Sequence, residues 1–227
     1  VPPPYQTVIY FPGTEAVFQS SSEGLEASEP FKASVEFIIK EGRAVLYPVY
    51  KGTFERRDDT PFGLHIGDGT RQYTDYLIKI VKDFQRSVDY LETRKDIDLD
   101  KLAYYGFSWG GWLGAVIPAV EHRLKVSILN AGGFMDQPNR SERPRPEVDE
   151  INYVTRVKIP TLMLNGKFDL HGFPYETSVK PFFDLLGTPK EHKSLVLCDA
   201  DHFIPKSILI KEALAWLDRY FGPVNRQ

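Results

Sequence analysis

The chain has 227 residues, of which 42% are hydrophobic and 26% are charged, and its formal net charge is -3. This composition is typical of a globular protein with a sizeable core, and the slightly acidic balance argues against a nucleic-acid partner. No apolar run approaches the roughly 20 residues that a membrane-spanning helix needs, so we expect no membrane insertion. The single cysteine, Cys198, lies in an apolar run and is expected to be a buried thiol.

Apolar and β-branched runs alternate with amphipathic segments along the chain. Six runs predict strands, at residues 6–11, 44–50, 101–106, 126–129, 161–165 and 194–198. Five segments with apolar residues at helical spacing predict helices, at residues 31–41, 72–94, 111–120, 174–186 and 207–221. Strands that alternate with helices pair in parallel, and helices then cover both faces of the sheet. The sequence therefore predicts an α/β fold with about six mostly parallel strands and helices on both faces.

The first residues are typical of a linker. Residues 1–5 contain three consecutive prolines, and the chain does not begin with methionine. Proline-rich segments form stiff, extended connections between domains. We therefore expect residues 1–5 to be a linker remnant in a chain that is processed or cut from a longer polypeptide, which leaves room for an additional domain in the parent chain. Residues 1–227 are expected to form one catalytic domain.

A serine between two glycines stands where a predicted strand meets a predicted helix. The sequence there is Gly106-Phe107-Ser108-Trp109-Gly110. This pattern is typical of a nucleophile elbow, a sharp turn that lifts a serine hydroxyl above the edge of a sheet. Gly106 and Gly110 allow strand and helix to pack closely around the turn. The pattern therefore predicts Ser108 as a nucleophile.

Two further candidates for acid–base chemistry follow later strands. Asp169 comes after the strand predicted at 161–165, and His202 comes after the last predicted strand. In a parallel sheet, functional residues lie just beyond the carboxyl ends of strands, and the order serine, acid, histidine is that of α/β-hydrolases. Histidine, with an ordinary pKa of about 6.5, suits the removal of a serine proton near neutral pH. We predict His202 as the base and Asp169 as the acid that orients it, with Asp136 as the alternative acid.

The chain resembles the α/β-hydrolase superfamily, in the branch that contains dienelactone hydrolases and prolyl-oligopeptidase-like enzymes. The segments that carry the resemblance are residues 96–101 leading into 105–111, residues 160–166 before Asp169, and the approach to His202.

This resemblance implies an α/β-hydrolase fold over residues 6–221. The match begins at what would be the third strand, so the first two strands of the full fold are expected to be lacking. Two features depart from the family's patterns. The propeller domain of the oligopeptidases is missing, and Ser108 stands where a dienelactone hydrolase proper carries cysteine.

An oxyanion hole needs two backbone N–H groups that face the developing negative charge. The residue after the nucleophile, Trp109, is one expected donor, because it begins a helix whose dipole adds positive potential. The second donor is expected in the loop after the first predicted strand. By resemblance, Pro12-Gly13 occupies the place of the family's His-Gly pair, which implies Thr14 as the donor and Gly13 as the fallback.

Several aromatic residues near these motifs are candidates for the wall of a substrate pocket. They are Phe11, Trp112, Phe134 and Phe173, together with the ring of Trp109. Aromatic side chains equally build protein cores, so each of these residues has a structural alternative.

The insertion before the strand at 161–165 is polar over residues 138–146, without the large apolar lid expected of a lipase. We therefore predict a serine carboxylesterase that hydrolyses short-chain carboxylic esters of a small-molecule substrate through an acyl-enzyme on Ser108. This chemistry needs no metal and no organic cofactor. The alternatives are a serine peptidase of the prolyl-oligopeptidase-like type and a catalytically inactive, hydrolase-like binding module.

Overall fold

A six-stranded parallel sheet forms the centre of the computed structural model, which describes residues 1–57, 69–135 and 144–224. The strand order is β2-β1-β3-β4-β5-β6, and every neighbouring pair is parallel. The strands are β1 Tyr5–Phe11, β2 Ala44–Leu46, β3 Ile97–Phe107, β4 Val126–Asn130, β5 Thr161–Gly166 and β6 Lys193–Cys198. The predicted α/β-hydrolase fold is confirmed.

Helices cover the sheet. They are α1 Glu15–Phe18, α2 Glu29–Ser34, α3 Glu36–Lys40, α4 Arg71–Glu92, α5 Trp109–Leu113, α6 Ile117–Val120, α7 Lys180–Leu185 and α8 Lys206–Phe221. Every residue of the central strands β4 and β5 is buried. Because side chains alternate between the faces of a strand, uninterrupted burial means that both faces of the sheet are covered.

Two strands differ in length from the sequence prediction. The strand predicted at 44–50 ends at Leu46, and Pro48 follows, which has no N–H for the ladder of hydrogen bonds. β3 begins at Ile97, four residues earlier than predicted, because Tyr5 pairs with Ile97 across an irregularity in the β1–β3 register. Tyr5 is therefore the first residue of β1, although the sequence analysis assigned it to a linker.

Three predicted helices are interrupted. The segment 31–41 divides into α2 and α3 at Val35, whose φ of -123° is outside the helical range. The segment 111–120 divides into α5 and α6, because Pro118 has no N–H to donate within a helix. The segment 174–186 opens with a π-helical turn at Tyr175–Val179 before α7 begins.

The parallel arrangement brings four strand ends to one edge of the sheet. β3 ends directly before Ser108, β5 ends three residues before Asp169, and β6 ends four residues before His202. β1 ends at Phe11, directly before the loop that was predicted to supply an oxyanion donor. Residues distant in sequence therefore lie beside one another at this edge.

Within residues 1–57, 69–135 and 144–224, no helix has both the length and the apolar character needed to cross a membrane.

The close packing of backbone at Gly106 predicts a specific loss of stability. A Cβ atom at Gly106 would overlap the backbone of Gly110, so Gly106→Ala should lower the free energy of unfolding by about 3 kcal/mol. Gly24 is a matched control, because it has a φ of +71° and no neighbouring atom within 4 Å of an added Cβ. Gly24→Ala should cost only about 1 kcal/mol of left-handed backbone strain. Urea denaturation measures both values, and equal losses would contradict the packing argument.

Candidate active site

The turn at Ser108 has the geometry of a nucleophile elbow. Ser108 has φ 52° and ψ -104°, a strained conformation for a residue with a side chain. Its N–H donates to the carbonyl oxygen of Asn130 on the neighbouring strand β4, at 2.9 Å. A Cβ atom at Gly110 would overlap the carbonyl oxygen of Phe11, so the helix can approach β1 this closely only with glycine there. The surrounding backbone therefore holds the Ser108 side chain at the carboxyl edge of the sheet.

A continuous chain of hydrogen bonds joins Ser108, His202 and Asp169. The Oγ of Ser108 lies 2.8 Å from the Nε2 of His202. The Nδ1 of the same ring lies 2.7 Å from the Oδ2 of Asp169. With a proton on Nδ1 donated to the carboxylate, Nε2 is free to accept the serine proton. The three predicted residues, separated by up to 94 positions along the chain, thus meet in hydrogen-bonding geometry.

Asp169 is held as a carboxylate by its surroundings. Only 4% of the residue is exposed, and burial alone would raise the pKa of its carboxyl group. The hydrogen bond and charge of His202, with the backbone N–H groups of Gly172 and Phe173, outweigh burial and lower this pKa. The Gly172 N–H donates to Oδ1 at 2.9 Å, which leaves Oδ2 directed at the imidazole. Asp169 therefore stays ionised and fixes the orientation of His202.

The loops that carry Asp169 and His202 are bonded to each other. The N–H of Lys167 donates to Cys198 O, and the N–H of Phe168 donates to Ala200 O, both at 2.9 Å. A Cβ atom at Gly166 would overlap the Asp201 carbonyl, so the two loops can lie this close only with glycine at the end of β5. This backbone contact holds the loops of Asp169 and His202 side by side.

The loop after β1 lies against the elbow, where a second oxyanion donor was predicted. The Pro12 carbonyl accepts from the Gly110 N–H at 3.1 Å, which fixes the loop beside the start of α5. The Gly13 N–H donates to the Glu15 carboxylate at 3.2 Å. Thr14 caps α1 with φ -66° and ψ -15°. The Gly13 N–H thus has an acceptor within its own loop, and Thr14 as the second oxyanion donor stays a prediction.

Glu15 is a site residue that the sequence analysis missed. Burial raises the pKa of its carboxyl group. Hydrogen bonds from the backbone N–H groups of Glu15 itself and of Gly13 lower this pKa, as does the charge of His202, but by less than burial raises it. The only signal in the sequence is an acidic residue directly after the predicted donor Thr14. Glu15 holds the loop through Gly13 and places a titratable group near the His202 imidazole.

Two more buried residues support the elbow without a distinguishing sequence signal. The Tyr104 hydroxyl donates to the Gly110 carbonyl at 2.6 Å, and burial keeps the pKa of this hydroxyl well above its ordinary value. Asn165 donates from Nδ2 to the Gly132 carbonyl at 2.9 Å. In the sequence, both residues read as ordinary members of apolar strands.

The predicted pocket residues divide between the core and the site. Phe11 is completely buried, stacked on Tyr50 with ring centroids 4.1 Å apart, so it supports the site from the core. Trp112 is also buried, and Phe134 packs against Phe182 at 5.1 Å. Phe173 alone among these four stacks on the His202 ring, at 6.0 Å.

The ring of Trp109 is buried and contacts Phe11 edge-on at 5.1 Å. Its backbone begins α5 directly after Ser108, as an oxyanion donor requires. Asp136, the alternative acid, lies outside the described residues, as do residues 138–143 of the polar insertion.

Comparison with solved structures shows the same fold in several hydrolases. One is 2,6-dihydroxy-pseudo-oxynicotine hydrolase, with a TM-score of 0.69 and 20% identity; it matches 100% of this chain, which spans 64% of that protein. An acetyl xylan esterase from a Paenibacillus species has a TM-score of 0.69 and 19% identity, over 96% of this chain and 76% of that one. Acetyl xylan esterase 1 from a Thermoanaerobacterium species has a TM-score of 0.66 and 17% identity, over 96% of this chain and 75% of that one.

No curated protein sequence matches the chain significantly. The sequence model of the dienelactone hydrolase family matches residues 17–177, a span that contains Ser108 and Asp169. This match covers more than half of the chain. The protein therefore belongs to the dienelactone hydrolase family and, because a lactone is an internal ester, to the hydrolases of carboxylic esters.

Proposed function

We propose that this protein is a serine carboxylesterase that hydrolyses short-chain carboxylic esters through an acyl-enzyme on Ser108. The observation that carries the proposal is the hydrogen-bonded chain from Ser108 Oγ to His202 Nε2 and from His202 Nδ1 to Asp169 Oδ2. Nucleophile, base and orienting acid in this geometry are the requirements of acyl transfer by serine.

The first half of the reaction forms the acyl-enzyme. His202 Nε2 removes the Ser108 proton as Oγ attacks the ester carbonyl, and a tetrahedral oxyanion forms. The backbone N–H groups of Trp109 and Thr14 are the proposed donors to that oxygen. The imidazolium, stabilised by Asp169, then gives its proton to the departing alcohol oxygen, and the carbon–oxygen bond breaks.

The second half of the reaction releases the acid. His202, again neutral, removes a proton from a water molecule that attacks the acyl carbon. The second tetrahedral intermediate then collapses: the bond between the acyl carbon and Oγ breaks, the His202 imidazolium returns its proton to Ser108 Oγ, and the carboxylic acid leaves. Residues of this chain supply every proton transfer in the cycle.

A short acyl group is favoured by the names of two solved structures that resemble this chain. Two of the similar structures are named acetyl xylan esterases, and acetyl is among the shortest acyl groups. We therefore propose acetyl and other short-chain esters as substrates.

Removal of the nucleophile should abolish ester turnover. Ser108→Ala is expected to lower kcat for p-nitrophenyl acetate by at least about 10⁴-fold, because no other group replaces the attacking oxygen. Ser87→Ala on α4 is the matched control and should retain activity. Steady-state kinetics, with circular dichroism to verify folding, measures the effect. Persistent activity in Ser108→Ala would contradict the proposal, and faster cleavage of a peptide amide than of the ester would indicate a peptidase.

The orienting acid can be distinguished by a pair of substitutions. Asp169→Asn should lower kcat by about 10³- to 10⁴-fold, because an amide can neither hold the imidazole tautomer nor stabilise its cation. Asp136→Asn should change kcat by less than about tenfold. Steady-state kinetics on one ester compares them, and a larger loss in Asp136→Asn would make Asp136 the acid.

The proposed second oxyanion donor can be removed without a change of backbone shape. Thr14 already has φ -66°, which proline also adopts, so Thr14→Pro removes the N–H at an unchanged φ. We expect kcat to fall by about 10²-fold with little change in KM, because the donor acts on the transition state. Thr14→Ser keeps the N–H and should remain active. A kcat for Thr14→Pro close to that of Thr14→Ser would assign the donor to another residue.

A further inference from the structure

Three of the four most exposed large apolar side chains among the described residues are next in sequence to the proposed catalytic residues Asp169 and His202. Phe168 and Leu170, on either side of Asp169, are 60% and 68% exposed, and Phe203, directly after His202, is 71% exposed. We call these three side chains the apolar rim. Large apolar residues left in water at a functional site are typical of a surface that binds an apolar group.

The apolar rim is built on a fixed backbone. The Phe168 N–H donates to Ala200 O at 2.9 Å, and the Leu170 N–H donates to Phe168 O at 2.8 Å. The Phe203 N–H donates to the Asp201 carboxylate at 3.0 Å. Side chains that emerge from such bonded loops are pre-positioned, so a ligand that covers them does not have to order the backbone first.

One member of the apolar rim contacts the proposed base directly. The Phe203 ring meets the His202 ring edge-on with centroids 5.4 Å apart, and it lies 5.7 Å from the ring of Phe107. Phe173 stacks on the same imidazole at 6.0 Å. Through Phe203, the rim therefore reaches the imidazole that must give a proton to the departing oxygen.

The direction of proton transfer decides which part of an ester faces this surface. His202 Nε2 protonates the alcohol oxygen, so that oxygen and the group it carries lie on the His202 side of Ser108. The carbonyl oxygen instead faces the loop of Thr14 and the start of α5. The rim extends from the His202 side, and the alcohol group of the ester is therefore nearest to it.

We propose that the apolar rim of Phe168, Leu170 and Phe203 is the subsite for the alcohol group of the substrate and selects esters of apolar alcohols. The inference rests on the proposed function and adds the class of alcohol to it. The charged neighbours fit a neutral occupant, since Lys167 and Asp199 pair with each other at 2.7 Å and the Asp201 carboxylate would repel an anionic group.

A series of n-alkyl acetates tests the subsite. Ethyl, butyl and hexyl acetate release alcohols of similar acidity, so their rates differ mainly through the apolar area of the alcohol. The wild type should show a kcat/KM at least about tenfold higher for hexyl than for ethyl acetate, a size typical of added methylenes in an apolar site. In Leu170→Ser/Phe203→Ser, this ratio should fall to within about threefold, chiefly through KM.

Two controls separate the subsite from general effects. Ile39→Ser removes an exposed side chain on α3, and Phe18→Ser removes an exposed aromatic ring on the oxyanion side; both should keep the hexyl-to-ethyl ratio of the wild type. Ethyl hexanoate, compared with ethyl acetate, measures the effect of a longer acyl group on kcat/KM. The double substitution should change this acyl-side ratio little. Thermal unfolding verifies that all variants fold.

The outcomes distinguish this inference from the proposed function. An enzyme that hydrolyses acetates with a flat alcohol series, or whose double variant keeps the wild-type ratio, overturns the alcohol subsite alone. If the double variant loses only its discrimination between acyl chains of different length, the rim lies on the acyl side, and this result also overturns the alcohol subsite. A wild type that hydrolyses none of these esters overturns the proposed function, and this inference with it.

Discussion

The contact between the backbone of β3 and the start of α5 is the constraint on which the rest of the site depends. A Cβ atom at Gly106 would overlap the backbone of Gly110, and a Cβ atom at Gly110 would overlap the carbonyl of Phe11 on β1. This packing, with the bond from the Ser108 N–H to Asn130, maintains a φ of 52° at Ser108. Such strain costs about 1–3 kcal/mol and persists only where surrounding structure determines it. The proposed nucleophile is therefore held in position before any substrate arrives.

Parallel pairing assembles the remaining groups around that serine. Because all six strands point the same way, the loops after β1, β3, β5 and β6 leave one edge of the sheet. Bonds between backbones then fix the loops in pairs, Pro12 to Gly110 on one side and Phe168 to Ala200 on the other. The first bond positions the loop of the proposed oxyanion donors, and the second positions the loops that carry Asp169 and His202. Rigid loops of this kind suit transition-state stabilisation, since no reorganisation is needed during the reaction.

Most elements could be predicted from sequence because burial imposes a period on each. The buried residues of α4 and α8 recur at helical spacing along the sequence. The apolar runs at the central strands β4 and β5 correspond to strands that are buried along their whole length. The errors occur where local chemistry competes with the pattern. Pro48 stops β2, Pro118 divides the helix after the elbow, and a register irregularity extends β3 to Ile97. Each is decided by one hydrogen bond or one pairing, to which a periodicity averaged over a segment is insensitive.

The sequence by itself determined the fold class, the elbow and the short set of candidate groups, because these depend on local pattern and on chain order. Only the tertiary structure decided that Asp169 Oδ2 and His202 Nδ1 lie 2.7 Å apart, that Glu15 occupies the Gly13 N–H, and that Phe11 is buried. It also decided which apolar side chains stay in water beside the site. Distances and exposure are set by how loops from separate strands pack against one another, and this packing depends on contacts between residues far apart in the chain.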